Sequence, residues 1–126
     1  MNERSMRFPA DVSHLASVRD FAAHAADDLG SSVSRDDLAL VVGELAANAA
    51  VHQHGEAWLV LRVDDQGGLD VEVHDLDGHL PSAIESTPWD SEGHRGLHLV
   101  SVISQAWGVE PEDGGKRVWA HLGPEA

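Results

Sequence analysis

Glu44, Asn48 and His52 stand at successive fourth positions, a spacing that sets them in one polar row along a helix. A carboxylate and an amide oxygen one turn apart can hold a hard, oxygen-seeking cation such as Mg2+ together with its waters. Amphipathic helices ordinarily carry a solvated polar stripe. Here the row is bordered by Ala46, Ala47, Ala49 and Ala50 rather than by Lys and Glu, so it faces something close and small-lined. A second set is Asp75-Leu76-Asp77-Gly78-His79-Leu80-Pro81. A carboxylate at a strand end that opens a loop is placed to receive a ligand's donor, although Asp-Gly is also an ordinary turn dipeptide. The third is Glu92-Gly93-His94-Arg95-Gly96-Leu97, a loop-to-helix junction. Helix N-termini present free N–H groups and partial positive charge, and glycines let a phosphate approach the backbone. Taken singly, such a glycine equally well just starts a helix. The chain has no Walker A pattern, no GxGxxG and no GxSxG.

Nine histidines invite a metal reading. His52 and His54 form an HxH pair, and His74, Asp75, Asp77 and His79 cluster at the strand end. Zinc accepts such ligands. There is no HExxH, however, and HxH on a helix points its rings apart. The histidines are scattered along the chain from His14 to His121, which fits a composition bias better than a dedicated transition-metal site.

The elements that must position these residues follow from periodicity. Leu15, Val18, Ala22, Ala25 and Leu29 share one helical face, predicting a helix over Ser13–Leu29 with Asp11 or Ser13 as cap and Gly30 as stop. Ser34 and Asp37 form a cap-like pair before Leu38, Val41, Val42, Leu45, Ala46 and Ala49, a helix from Ser34 to about Gln53. The period then changes to two: Ala57–Val63, a turn at Asp64–Gly68, and Leu69–Asp75 predict a hairpin with one covered face. Leu76–His94 reads as a loop of about 19 residues, long enough to suggest a lid or binding loop. A third helix is expected from Gly96 to about Ala106, then strands at Trp107–Glu110 and Arg117–Leu122 joined through Asp113-Gly114-Gly115. A short strand at Ser5–Phe8 opens the chain. The fold class expected is α+β, a two-layer sandwich of a mixed, mostly antiparallel sheet with three helices on one face.

Composition narrows the function. One domain spanning residues 1–126 is expected from the length. The 22 acidic residues against 8 Lys plus Arg give a net charge of −14. Nucleic acid is held mainly through Lys and Arg, so it is a poor partner for this chain. The absence of cysteine excludes disulfides and thiolate chemistry and fits a reducing, cytoplasmic compartment. No apolar run approaches the ~20 residues of a membrane span, and the first ten residues lack a signal-peptide core.

Taken together and in this order, the three sets resemble the N, G1 and G2 boxes of the GHKL ATP-binding superfamily. More closely, the chain resembles the small actinobacterial ATP-binding proteins related to anti-sigma-factor serine kinases. Glu44-Leu45-Ala46-Ala47-Asn48-Ala49 with His52 is similar to the N box, and Val73-His74-Asp75 through Pro81 to G1. Arg95-Gly96-Leu97-His98-Leu99-Val100 is similar to the G2 helix start, and Trp107-Gly108 with Gly115-Lys116-Arg117-Val118-Trp119-Ala120 to the closing hairpin. At the third and fifth G1 positions, commonly Gly, this chain has Asp77 and His79, and His94 stands where G2 usually has a glycine.

The resemblance implies ATP and Mg2+ as cofactors. It implies Asn48 as the Mg2+ ligand and Glu44 as the base for the attacking hydroxyl or water. Asp75 would accept the adenine amine, and Gly78, Arg95, Gly96 and Leu97 would line the nucleotide. A carboxylate accepts from adenine N6 and repels guanine O6. The implied partners are an RNA polymerase sigma factor and an anti-anti-sigma antagonist whose serine is phosphorylated, with a homodimer as the family's usual state. The alternative is a non-catalytic module that sequesters a partner, with weak or vestigial nucleotide binding.

Overall fold

The computed structural model describes residues 2–52, 55–76, 92–112 and 114–125, with backbone alone for 51, 52 and 92–96. The period-two stretches form one five-stranded sheet. Its strands are β1 (Glu3–Pro9), β2 (Glu56–Val63), β3 (Leu69–Asp75), β4 (Ala106–Glu112) and β5 (Gly115–Leu122). They lie in the order β1-β2-β3-β5-β4, and every pairing is antiparallel. The hairpin turn between β2 and β3 is tied by Asp64, whose Oδ1 accepts from the N–H groups of Gln66 at 2.8 Å and Gly68 at 2.9 Å.

Side chains alternate across a sheet, so register decides which row is covered. Leu59, Val73 and Val118 are aligned, as are Leu61, Val71 and Ala120. All six are buried under the helices. The other row, carrying Trp58, Arg62, Glu72, His74, Arg117 and Trp119, faces away.

Three helices cover the apolar row: α1 (Leu15–Leu29), α2 (Arg35–His52) and α3 (Glu92–Ile103). The central helix α2 packs between α1 and α3 and rests on β3, while α1 lies over β1 and β2. Each end has a local cause. Asp11 accepts from the Ser13 N–H at 2.8 Å and opens a 3-10 turn at Val12–His14, so α1 starts at Leu15 rather than Ser13. Gly30 closes it with φ +73°, a conformation glycine adopts without strain. Ser34 Oγ accepts from the Asp37 N–H at 3.2 Å, the cap that the sequence indicated.

The two-layer α+β sandwich expected from the sequence is the fold observed, with the sheet wholly antiparallel among the described strands. The third helix differs from expectation. It begins at Glu92, not Gly96, and ends at Ile103, so Ala106 opens β4 instead of closing the helix. The cause at the C-terminal end is the sheet ladder: Gln105 N–H donates to the His121 carbonyl at 2.9 Å and Ala106 pairs with His121. β4 is longer than expected because Pro111 is tolerated in an edge strand, where its missing N–H interrupts no ladder. The expected loop from Leu76 loses its last residues to α3, and residues 77–91 lie outside the described residues.

Candidate functional site

The polar row of α2 sits at the same end of the molecule as Asp75. The C-terminus of α2 leads through Gly55 into β2, whose Ala57 is aligned with Asp75 at the end of β3. The chain leaves β3 at Leu76 and re-enters as α3, which packs along α2 and ends three residues before β4, near His121 at the opposite end of the sheet. The 12 residues of α3 span about 18 Å at the usual rise, which directs its N-terminus back toward the Asp75 end.

Asn48 is buried, 5% exposed, among Leu45, Ala46 and Ala49. Its Oδ1 has no hydrogen-bond partner among the described residues. An amide oxygen left unmatched in a buried setting costs about 1–3 kcal/mol, so the position is built to receive a donor or cation. Such an orphaned hard oxygen fits Mg2+. Glu44, one turn earlier, is half-buried. Burial pushes its carboxyl above the ordinary 4.5, opposed by the charge of Arg19. Arg19 comes from α1 and lies against Gly43, where an added Cβ would stand 2.9 Å from its Nη1. Gly43 and Arg19 were not singled out in the sequence. A glycine inside a strong helix is the one hint, since it costs about 1 kcal/mol relative to Ala and usually marks a close approach.

Asp75 is buried on the covered row, and directly across from it in β5 stands Lys116. Lys116 Nζ lies 2.9 Å from Asp75 Oδ2, and neither side chain exposes any surface. Sequence reasoning treated Lys116 only as part of the closing hairpin. Its alternation with Val118, Ala120 and Leu122 was the available sign that a lysine points into the core. Gly115, next to it, is pressed against the backbone of Asp75, where any Cβ would collide with the Asp75 carbonyl.

The remaining sequence-derived positions separate. Leu97 is 2% exposed in the hydrophobic core, so its side chain packs the helix onto the sheet. Arg95 and Gly96 fall within the first turns of α3, and Gly78 lies outside the described residues, as does the side chain of His52. Among the described residues no group of three or more His, Asp or Glu could hold a metal ion, and no helix is long and apolar enough to cross a membrane.

The uncovered face carries its own polar cluster. Glu72 accepts from Arg62 at 2.6 Å, from Arg117 at 3.1 Å and from His74 at 2.9 Å if that ring nitrogen is protonated. Burial alone would raise its carboxyl, but the bonds from His74 and Arg62 and the nearby guanidinium charges outweigh burial and hold it below 4.5. A groove of about 490 Å3 on this face touches Trp58, His74, Asp75 and Leu76 but neither Glu44 nor Asn48.

The chain belongs to the histidine kinase-like ATPase domain family, whose model matches residues 8–122. The resemblance drawn from the ordered boxes is thereby borne out. Among solved structures, the chain is similar to the RsbU and RsbW domains of Rv1364c from Mycobacterium tuberculosis, at TM-score 0.70 and 14% identity over 98% of this chain. It is also similar to the histidine kinase domain of the Erythrobacter litoralis EL346 blue-light activated histidine kinase, at TM-score 0.55 and 18% identity over 93% of this chain. It spans 33% of the first structure and 62% of the second. A search of curated proteins finds no match.

Proposed function

We propose that this chain is an ATP-binding serine/threonine protein kinase of the anti-sigma-factor type, acting in the cytoplasm. It binds an RNA polymerase sigma factor and phosphorylates a serine on an anti-anti-sigma antagonist. The observation that carries this is the pairing on α2 of a buried, unmatched Asn48 amide oxygen with a half-buried Glu44 whose carboxyl is raised by burial. The likeness to a structure containing an RsbW domain supports the anti-sigma assignment.

Asn48 Oδ1 would hold Mg2+. When bound, Mg2+ supplies positive charge that offsets the charge of nucleotide phosphates. Glu44 takes the proton of the serine hydroxyl as that oxygen bonds to the γ-phosphorus of ATP and the bond to the bridging oxygen breaks, releasing ADP. A raised carboxyl pKa makes it a stronger base than an ordinary glutamate. Asp75 accepts the exocyclic amine of adenine. The resemblance assigns the phosphates to Arg95 and Gly96, and the first turn of α3, where helix N–H groups lack intrahelical partners, would supply backbone donors.

The test is phosphoryl transfer from labelled ATP to candidate antagonist proteins. Phosphoserine formation that disappears in Glu44→Gln is expected. A second function, a non-catalytic sequestering module, is favoured by one observation, the engagement of Asp75 by Lys116. A chain that holds a sigma factor tightly yet transfers no phosphate to any antagonist would establish that alternative.

A further inference from the structure

Lys116 is a lysine in an apolar row. Along β5 it shares the covered side with Val118, Ala120 and Leu122, all buried. Removing an ammonium from water is costly, and an apolar residue of similar size would ordinarily serve the core as well or better. Its Nζ lies 2.9 Å from Asp75 Oδ2, and neither side chain exposes any surface. In this arrangement the ammonium holds the carboxylate that a nucleotide base would need. Gly115 is pressed against the Asp75 backbone, so the main chains are fixed at that point and the side chains are the movable part. The lysine stem carries four flexible carbons, and Lys116 stands two residues from the exposed turn at Gly114. A swing toward that end of the sheet takes its ammonium to water.

We propose that the Lys116–Asp75 ion pair is an internal latch on the base site: the ammonium competes with the nucleotide base for the Asp75 carboxylate, and the base binds only as Lys116 swings away. This rests on the nucleotide-binding function proposed above, in which Asp75 accepts the adenine amine. The carboxylate keeps a donor throughout, because an N–H of the amine takes the place of an ammonium N–H. The cost of binding is the closed fraction, since a site open only part of the time shows an affinity reduced by that fraction. Lys116 thus sets how readily the chain takes up nucleotide, and it acts through Asp75.

Calorimetric titration of the full chain with Mg2+-ATP tests this. Lys116→Met removes the competitor and should bind ATP about tenfold or more tightly than wild type, the usual weight of one charged hydrogen bond. Lys116→Arg keeps a cation on Asp75 and should stay near wild type; circular dichroism melting confirms which variants fold. Wild type supplies a readout that needs no core substitution, the 15N resonance of the Lys116 ammonium. That group is sheltered from exchange with water before titration and should lose its shelter when Mg2+-ATP binds. A folded Lys116→Met that binds ATP as wild type does, or more weakly, overturns the latch while leaving nucleotide binding intact. An ammonium equally sheltered with ATP bound, or an Arg variant that gains as much affinity as Lys116→Met, also overturns it. Failure of wild type and of every folded variant to bind ATP overturns the nucleotide-binding function itself, and the latch with it.

Discussion

Glu44 and Asn48 stand one turn apart on α2, the first half-buried with a carboxyl raised by its burial, the second buried with an amide oxygen that meets no donor among the described residues. Each is individually unfavourable for the fold. Together they form the kind of locally strained electrostatics that protein sites use for chemistry.

Glu44→Gln should therefore stabilise the folded chain at neutral pH. A carboxyl with a raised folded pKa lends stability that is complete below its unfolded value of 4.5 and is lost as pH rises through the folded pKa. Thermal melts should show the variant above wild type at pH 7, with the two converging below pH 4.5. A variant that melts below wild type at pH 7 contradicts this account of Glu44.

Gly43→Ala should move Arg19 away from α2. The atom that a new Cβ meets is the end of a flexible side chain, so the backbone has no need to shift. Replacing a helix-interior glycine then contributes up to about 1 kcal/mol of stability. Loss of the Arg19 charge removes what lowers the Glu44 carboxyl, so the acid limb of any pH–rate profile should move to higher pH. An unmoved limb would show that Arg19 does not tune the base.

Much of this was legible in the sequence. The second helix was, because a serine cap, acidic first turn and apolar spacing all agree over Ser34–Ala49. The hairpin was, because strict alternation fixes which face is covered. The start of α3 was not: Gly93 and Gly96 argue against a helix there, and packing against α2 overrides that propensity. The Asp75–Lys116 pair was also invisible, since it depends on β3 lying beside β5, a neighbour relation that no local pattern records. The same holds for Arg19 against Gly43, which needs the crossing of α1 and α2.

Glu72 on the uncovered face gives a prediction of opposite sign to Glu44. Its carboxyl lies below 4.5 in the fold, so its contribution is present above that pH and is lost as pH falls through the lowered folded value. Glu72→Gln should cost about 1–3 kcal/mol at pH 7, the usual weight of hydrogen bonds to a buried charged group. The carboxylate that accepts from Arg62, Arg117 and His74 loses its charge, while those three, partly exposed, keep their other carboxylate partners. Denaturant unfolding at pH 7 and at acid pH should show a penalty that shrinks on acidification. A pH-independent penalty would mean that packing rather than charge is lost.

The most direct test of the central claim is titration of the wild-type chain and of Asn48→Ala with ATP, each with Mg2+ and with a chelator. Wild type should bind in Mg2+ and weaken sharply in the chelator. Asn48→Ala should lose at least about tenfold in Mg2+, the scale of one interaction with a charged group, and little more when the metal is removed. Absence of binding by wild type, or an Asn48→Ala variant that binds as wild type does, would contradict the assignment of α2 as the nucleotide-metal helix.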